Sequence, residues 1–271
     1  MRVSIIGSGY VGTTIAACFA DLGHDVVNVD IDQEIVDTIN AGMAPIHEDG
    51  LSALIAEHAG PNSTGQLTAT TDYDAVLATD VTFLCLPTPQ NADGSIDLSI
   101  MEAAAEQLGS TLAAKDEWHT IVLKSTVVPR TTEETVTPLL ERASGGTAGT
   151  TFGIGMNPEF LREGTAVHDF LSPDKIVLGA DDERALADMY TVFEPLIDRS
   201  EAPVVETDTR TAEMIKYANS DLLPVVNDGA SHGTVPLGWD ICWLTTCRHD
   251  EPMAGPHRRY SYPRQGDSEL S

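Results

Sequence analysis

The stretch VSIIGSGYVG, residues 3–12, decides how this 271-residue chain folds at its start. Val3 to Ile6 is a short apolar run typical of a buried strand, and it ends at Gly7. Residues 10–22 follow a helical pattern with small side chains on the face that must approach a sheet. The sequence therefore predicts a strand, a glycine turn and a helix, in that order.

The turn has the glycine spacing of a dinucleotide-binding motif. Asp30 ends the second predicted strand, at the distance from the glycines that such motifs require. Gly7 permits the tight turn, Gly9 lets backbone amides approach a diphosphate, and Gly12 lets the helix pack closely on the strand. The Asp30 carboxylate would accept hydrogen bonds from both ribose hydroxyls and repel a 2′-phosphate. We therefore predict NAD rather than NADP as the cofactor, held by Gly7, Gly9, Tyr10, Val11, Gly12 and Asp30.

Outward from this motif, apolar strands alternate with helices through residue 207. The predicted strands are 3–6, 26–30, 81–86, 120–123, 152–156, 175–178 and 204–206, and the predicted helices are 10–22, 33–40, 51–58, 98–112, 131–142 and 183–196. Apolar strands separated by crossover helices predict an α/β fold, a Rossmann-type doubly wound parallel sheet covered on both faces. We assign residues 1–207 to this cofactor-binding domain.

Composition excludes several classes of protein. A net charge of -27 disfavours nucleic acid and anionic membranes as partners. No apolar run reaches the roughly 20 residues of a membrane-spanning helix, and four cysteines without short paired spacing predict no disulfide framework and no metal site. We expect a protein of the reducing cytoplasm. The charge itself has two explanations, adaptation to a high-salt cytoplasm that screens self-repulsion, or an ordinary acidic protein.

The chain changes character after Asn219. Residues 220–271 contain no Lys, five of the 15 Pro, and 7 acidic against 4 basic side chains. The prolines, beginning with Pro224, predict interruption of every helix in this tail. Two explanations stay open for residues 220–271: a natural loop-rich extension, or a disordered or frameshifted remnant.

Four further blocks are more particular than a generic dinucleotide fold. They are FLCLPTPQ (83–90) with DGS (93–95), KSTVVP (124–129), NPEFLREG (157–164) and AEMIKYAN (212–219). Together they closely resemble the UDP-glucose/GDP-mannose dehydrogenase family, over residues 1–219 and about the first half of a full-length member. In that family a central helix forms the dimer, and the resemblance implies that residues 208–219 are its start.

The resemblance implies an activity and a set of site residues. Members oxidise the C6 hydroxyl of a nucleotide sugar to a carboxylate with two NAD molecules, through a cysteine-bound thioester. By resemblance, the catalytic residues are Thr126, which also helps hold a water, Glu159 as acid/base and Lys216 as the cation that stabilises an oxyanion at C6. Thr88, Thr126 and Glu163 lie by resemblance near the nicotinamide. The implied substrate contacts are Glu159, Phe160, Leu161, Arg162, Glu163 and Lys216.

The resemblance also fails at defined places. Ser220 stands where the family has an asparagine one turn after the lysine, and the glycine-rich block with the nucleophilic cysteine is missing. Cys242 and Cys247 lie in surroundings unlike that block, and no nucleotide-binding lid domain is recognisable. We therefore expect NAD binding with impaired turnover. The alternatives are a non-catalytic NAD-binding module or pseudogene fragment, and a 3-hydroxyacid type dehydrogenase that uses a lysine.

Overall fold

The computed structural model describes residues 1–227 and 259–261, and these form one sheet with helices on both faces. The strands are β1 (Arg2–Ile6), β2 (Asp25–Val29), β3 (Leu67–Thr70), β4 (Val81–Leu84), β5 (Thr120–Leu123), β6 (Gly153–Met156), β7 (Ile176–Ala180), β8 (Val204–Thr207) and β9 (Arg259–Ser261). The helices are α1 (Tyr10–Asp21), α2 (Gln33–Asn40), α3 (Leu51–His58), α4 (Ser99–Leu112), α5 (Thr137–Ser144), α6 (Ala166–Leu171), α7 (Glu183–Arg199) and α8 (Thr209–Asn227), with a 3₁₀ helix at Tyr73–Ala78 and a π-helical turn at Thr132–Val136.

The strand order confirms the predicted Rossmann-type fold. The order is β3-β2-β1-β4-β5-β6-β7-β8-β9, and β1 to β6 are all parallel to one another. The chain leaves β1 toward one side of the sheet and returns to add β4 on the other side. Ligands of such sheets bind where the order reverses, beyond the carboxyl ends of the strands. That position here lies between β1 and β4.

One pair of strands contradicts the predicted wholly parallel sheet. β7 runs antiparallel to β6, with Gly155 opposite Ala180 and Met156 opposite Gly179. A parallel connection needs a helix that crosses back over the sheet. The helix between these strands, α6, has six residues and rises only about 9 Å, so it stays near one edge. As a result β7 begins at the edge where β6 ends.

The sequence pattern also missed four short elements. β3 has four residues, two of them threonine, the 3₁₀ helix and α6 have six residues each, and β9 has three. Elements this short give too few repeats for a period to be recognised. The longer predictions agree with the structure in type, and α3 has the predicted bounds. Asp97, two residues before α4, accepts a hydrogen bond from the Ser99 N–H at 2.9 Å.

Two apolar cores cover the faces of the sheet. On the first face, Phe19 of α1 lies 5.0 Å from Phe83, 5.2 Å from Phe170 and 5.5 Å from Phe193, measured between ring centroids. The second face packs α4, α5 and the start of α8 around side chains such as Met101. Full burial of one such side chain stabilises the fold by about 1.5–3 kcal/mol. Both faces are covered, so the strand ends are where the sheet meets solvent.

The helix α8 continues beyond the point where composition changes. It runs from Thr209 to Asn227, so Pro224 lies inside it and the prediction that every helix there is interrupted is wrong. Proline in a helix removes one backbone hydrogen bond, which a helix of 19 residues tolerates at a cost.

Beyond α8, the structure describes one more element, because β9 pairs in parallel with β8. Residues 228–258 and 262–271, and with them Cys242 and Cys247, lie outside the described residues. Within the described part, no helix is both long and apolar enough to span a bilayer.

Candidate functional site

The glycine turn leaves open space only at its middle glycine. Gly7 has a φ of 98°, and a Cβ there would lie 2.5 Å from the Cys85 carbonyl oxygen. A Cβ on Gly12 would lie 1.8 Å from the Gly7 oxygen, whereas a Cβ on Gly9 would have no atom within 4 Å. Gly7 and Gly12 therefore serve the close packing of strand and helix. Gly9 adjoins solvent at the start of α1, where a diphosphate would lie.

Asp30 lies directly against this turn. Its carboxylate accepts hydrogen bonds from the Ser8 N–H and, at 3.0 Å, from the Asp32 N–H. The side chain is therefore oriented by the backbone on both sides, beside the glycines. Asp30 therefore binds the residue next to Gly9. The open space at Gly9 and this carboxylate together fit the diphosphate and the adenosine ribose of NAD.

The loops after β4 and β5 meet at the same edge. The Thr88 hydroxyl donates to the Thr126 carbonyl oxygen at 2.9 Å, and the Leu86 N–H donates to Ser125 Oγ at 2.8 Å. The structure thus brings together Thr88 and Thr126, which were predicted to lie near the nicotinamide. Because the Thr88 hydroxyl proton is used inside the protein, its oxygen is the atom left to accept from a ligand.

Glu159 and Lys216 form an ion pair, although 57 residues separate them. Lys216 Nζ donates to Glu159 Oε1 at 2.7 Å and to the Glu159 carbonyl oxygen at 2.6 Å. The other carboxylate oxygen accepts from the Leu161 N–H at 2.8 Å. The side chains of Lys216 and Glu159 are only 11% and 14% exposed. Two of the three predicted catalytic residues are therefore in contact at the carboxyl end of β6.

A buried carboxylate places α8, and with it Lys216. Glu213 is fully buried and accepts hydrogen bonds from the Thr132 N–H at 2.8 Å, the Thr132 hydroxyl at 2.6 Å and the Arg130 N–H. Arg130 has a φ of 82°, the one positive value among the described non-glycine residues. Glu213 thereby fastens α8 to the segment that follows β5. Lys216 is one helical turn further on and reaches Glu159.

Sequence reasoning did not assign a role to Lys124, which is buried beside the ion pair. Its Nζ donates to Asn157 Oδ1 at 2.6 Å, and Asn157 Nδ2 donates to the Val177 oxygen at 2.7 Å. Burial lowers the pKa of the Lys124 ammonium to about 8, although Cys85 and Glu159 oppose that shift. A buried lysine with a depressed pKa is typical of functional sites. The signal in the sequence was its place at the start of the KSTVVP block.

Lys175 joins the same cluster because β7 is reversed. Its Nζ lies 4.3 Å from the centroid of the Phe160 ring and donates to Asn219 Oδ1 at 2.9 Å. Lys216 Nζ lies 5.7 Å from the same ring, so Phe160 contacts two ammonium groups through its face. Three of the four lysines of this acidic chain thus lie around Glu159 and Phe160. The scarcity of lysine was the signal that could have identified Lys175.

The remaining predicted substrate contacts lie on the segment between β6 and α6. The Arg162 guanidinium binds Asp169 through Nη2 at 2.7 Å and Nε at 3.0 Å, and its side chain is 76% exposed. That pairing holds the pKa of the Asp169 carboxyl at about 2. Leu161 packs partly against the first core, and Glu163 is exposed. Arg162 is therefore engaged in a bidentate pair that a ligand would have to share or displace.

Comparison with known proteins places these features in a family. Residues 1–197 match the model of the UDP-glucose/GDP-mannose dehydrogenase family, NAD binding domain. The chain is 61% identical over 224 residues to UDP-glucose 6-dehydrogenase AglM of Haloferax volcanii, covering 82% of this chain and 51% of that protein. It is 42% identical over 218 residues to GDP-mannose 6-dehydrogenase of Pseudomonas aeruginosa, covering 80% and 48%. The chain spans about half the length of the curated relatives it matches.

Solved structures agree with this relationship. A ternary complex of GDP-mannose dehydrogenase from Pseudomonas aeruginosa matches with a TM-score of 0.79 and 39% identity, over 84% of this chain and 51% of that one. A UDP-glucose dehydrogenase from Pyrobaculum islandicum matches with a TM-score of 0.74 and 42% identity, over 80% and 48%. The family match and the ternary complex therefore identify NAD as the cofactor. This chain belongs to the UDP-glucose/GDP-mannose dehydrogenase family and carries its NAD binding domain.

Proposed function

We propose that this chain serves the NAD-dependent oxidation of the C6 hydroxyl of a nucleotide sugar, of the UDP-glucose 6-dehydrogenase type. The observation that carries the proposal is the contact between Lys216 and Glu159 at the sheet edge that also holds the glycine turn. NAD, when bound, accepts the hydride. The 61% identity to a UDP-glucose 6-dehydrogenase favours the glucose nucleotide over the mannose nucleotide.

The proposed roles follow from the chemistry of the side chains. Lys216, as an ammonium ion, would donate a hydrogen bond to the C6 oxygen and stabilise negative charge there as hydride leaves. Glu159, paired with Lys216 before substrate arrives, would accept a proton from water or from the sugar hydroxyl. Thr126 would help to hold that water, and Glu163 would lie near the nicotinamide. Lys124 and Lys175 would add positive charge that attracts an anionic nucleotide sugar.

We expect this chain by itself to bind NAD without sustained turnover. The second oxidation in the family uses a cysteine, and the 271 residues contain no glycine-rich block of the kind that carries it. We also propose that residues 1–207 form the cofactor-binding domain and that α8 is the start of a dimer helix. Turnover in the family also uses the cysteine block and the nucleotide-binding lid domain, neither of which is recognisable in this sequence. The alternative is a non-catalytic NAD-binding module.

The experiment has two arms. Calorimetric titration with NAD and with NADP tests the cofactor, and incubation with NAD and either UDP-glucose or GDP-mannose, followed by NADH absorbance, tests turnover. We expect heat with NAD, little heat with NADP, and no continuing NADH production. Continuing production would contradict the expected impairment, and loss of that production in Lys216→Met but not Lys115→Met would support the role of Lys216. Absence of NAD binding would overturn the proposal.

A further inference from the structure

Glu48 is a buried carboxylate with no role in the function described so far. It lies in the loop between α2 and α3, and the residue is only 4% exposed. Burial of a carboxylate is costly unless hydrogen bonds satisfy its oxygens. The contacts of Glu48 therefore show which parts of the molecule it connects.

Glu48 joins two segments that are far apart in sequence. Its Oε2 accepts from the Gly164 N–H at 2.9 Å, and its Oε1 accepts from the Ala166 N–H at 2.9 Å. The Tyr10 hydroxyl also donates to Glu48, and it lies 3.3 Å from the Arg162 carbonyl oxygen, 152 residues away in sequence. Burial disfavours ionisation, but these hydrogen bonds outweigh it and hold the pKa of Glu48 below its usual value.

Glu48 connects the start of the cofactor helix α1 to the segment that carries Glu159 and Glu163. Tyr10 is the first residue of α1 and follows Gly9, where the diphosphate of NAD would lie. Gly164 and Ala166 end the segment that carries Glu159 and Glu163. Other amides of that segment are held locally, the Leu161 N–H by Glu159 and the Arg162 N–H by Asp169 at 3.0 Å. Glu48 differs because it reaches the segment from another part of the chain and contacts α1 as well.

We infer that Glu48 is a positioning residue that fixes residues 159–166 against the start of α1. It thereby links cofactor occupancy of the glycine turn to the placement of Glu163 near the nicotinamide. This linkage rests on the proposed function. A glutamine is a poor replacement, because its amide nitrogen would face an N–H that needs an acceptor. The carboxylate accepts on both oxygens, and the Tyr10 hydroxyl supplies the contact to the cofactor helix.

The first test measures hydrogen exchange in the full chain without ligand. In Glu48→Gln we expect the amides of 161–166 to exchange at least roughly tenfold faster, while the peptides of β1 and β5 exchange as before. Tyr10→Phe keeps both amide bonds and should have a smaller effect in the same direction. Asp182→Asn is the matched control, because Asp182 also accepts from a backbone N–H, that of Ala185 at 2.7 Å, at a helix start outside this segment. Unchanged exchange of 161–166 in Glu48→Gln would overturn the inference.

The second test compares NAD with ADP-ribose, which has the diphosphate and adenosine but no nicotinamide. We expect Glu48→Gln to raise the Kd for NAD about tenfold and that for ADP-ribose less than about twofold, because one lost charge-assisted hydrogen bond is of this order. Equal weakening of both ligands would mean that Glu48 only supports the fold, which overturns the linkage. If the unaltered chain bound no NAD, the proposed function would fail, and the exchange measurement would still decide whether Glu48 holds the segment.

Discussion

The stability of this protein should rise with pH because of Lys124, and the substitution Lys124→Met should remove that rise. Its side chain is buried, with Asn157 Oδ1 as a hydrogen-bond acceptor at 2.6 Å, and burial lowers the pKa of its ammonium to about 8 from an ordinary 10.5. Above the folded pKa and below the unfolded one, the unfolded chain holds this proton and the folded chain does not. The free energy of unfolding therefore increases as pH rises through that window.

The size of this change in the free energy of unfolding follows from the lowered pKa of Lys124. Each pKa unit corresponds to about 1.4 kcal/mol, so the whole shift is worth roughly 3 kcal/mol. Between about pH 7 and about pH 9.5, close to 2 kcal/mol of this should appear as added stability. Lys124→Met removes the titrating group and keeps a side chain of similar length. The variant should lack the gain of about 2 kcal/mol over this range.

The measurement is urea unfolding followed by circular dichroism, for both proteins at both pH values in the same concentrated KCl. Other groups titrate in this range, but they do so in both proteins, and the difference between the two pH dependences isolates Lys124. Lys115→Met is the comparison variant, because Lys115 lies away from the site, against Thr79 and His119. Burial lowers the pKa of Lys115 as well, but the side chain is only partly buried, so its substitution should remove less of the pH dependence than Lys124→Met does. Equal pH dependences for the unaltered chain and Lys124→Met would refute this reasoning.

Three further predictions concern the cofactor turn and the charge. Gly12→Ala should destabilise the fold by roughly 3 kcal/mol or more, because the added Cβ would lie 1.8 Å from the Gly7 oxygen. Gly9→Ala should keep a normal melting temperature but lose NAD affinity, because its added Cβ would enter only the space proposed for the diphosphate. Melting curves and NAD titrations separate the two, and normal NAD binding by Gly9→Ala would contradict this placement. Asp30→Asn should bind NAD about tenfold more weakly, so its affinity for NAD should exceed its affinity for NADP by a smaller factor than in the unaltered chain. An unchanged ratio of the Kd values for NAD and NADP would argue against a role of Asp30 in cofactor selection. The melting temperature of the unaltered chain should rise by roughly 5 °C or more from about 0.1 M to about 2 M KCl, since its net charge is -27, and a flat response would favour an ordinary acidic protein.

The first half of the site was predictable because its signals are local. The turn at Gly7 to Gly12 places strand, loop and helix within one short stretch, and Asp30 directly follows the adjacent strand β2. Glycine spacing reports backbone conformation and close approach directly, as the Cβ distances at Gly7 and Gly12 show. Periodicity likewise predicted the long helices and buried strands. Blocks such as NPEFLREG identified the family without any knowledge of distances.

The second half of the site was decided by tertiary structure. The reversed direction of β7 could not be predicted, because it depends on how far the short α6 extends over the sheet. That reversal brings Lys175 to the edge where Glu159 lies, and Glu213 directs α8 so that Lys216 meets Glu159 across 57 residues.

The sequence by itself therefore determined the fold class, the family and the cofactor, and it named the candidate site residues. Only the tertiary structure determined that Glu48 connects the cofactor helix to the segment 159–166, and that Lys124 is buried beside the ion pair. The physical reason is that glycine spacing and hydrophobic period are local properties of the chain. Burial and the pairing of distant charges depend on which strand ends and loops the sheet brings together.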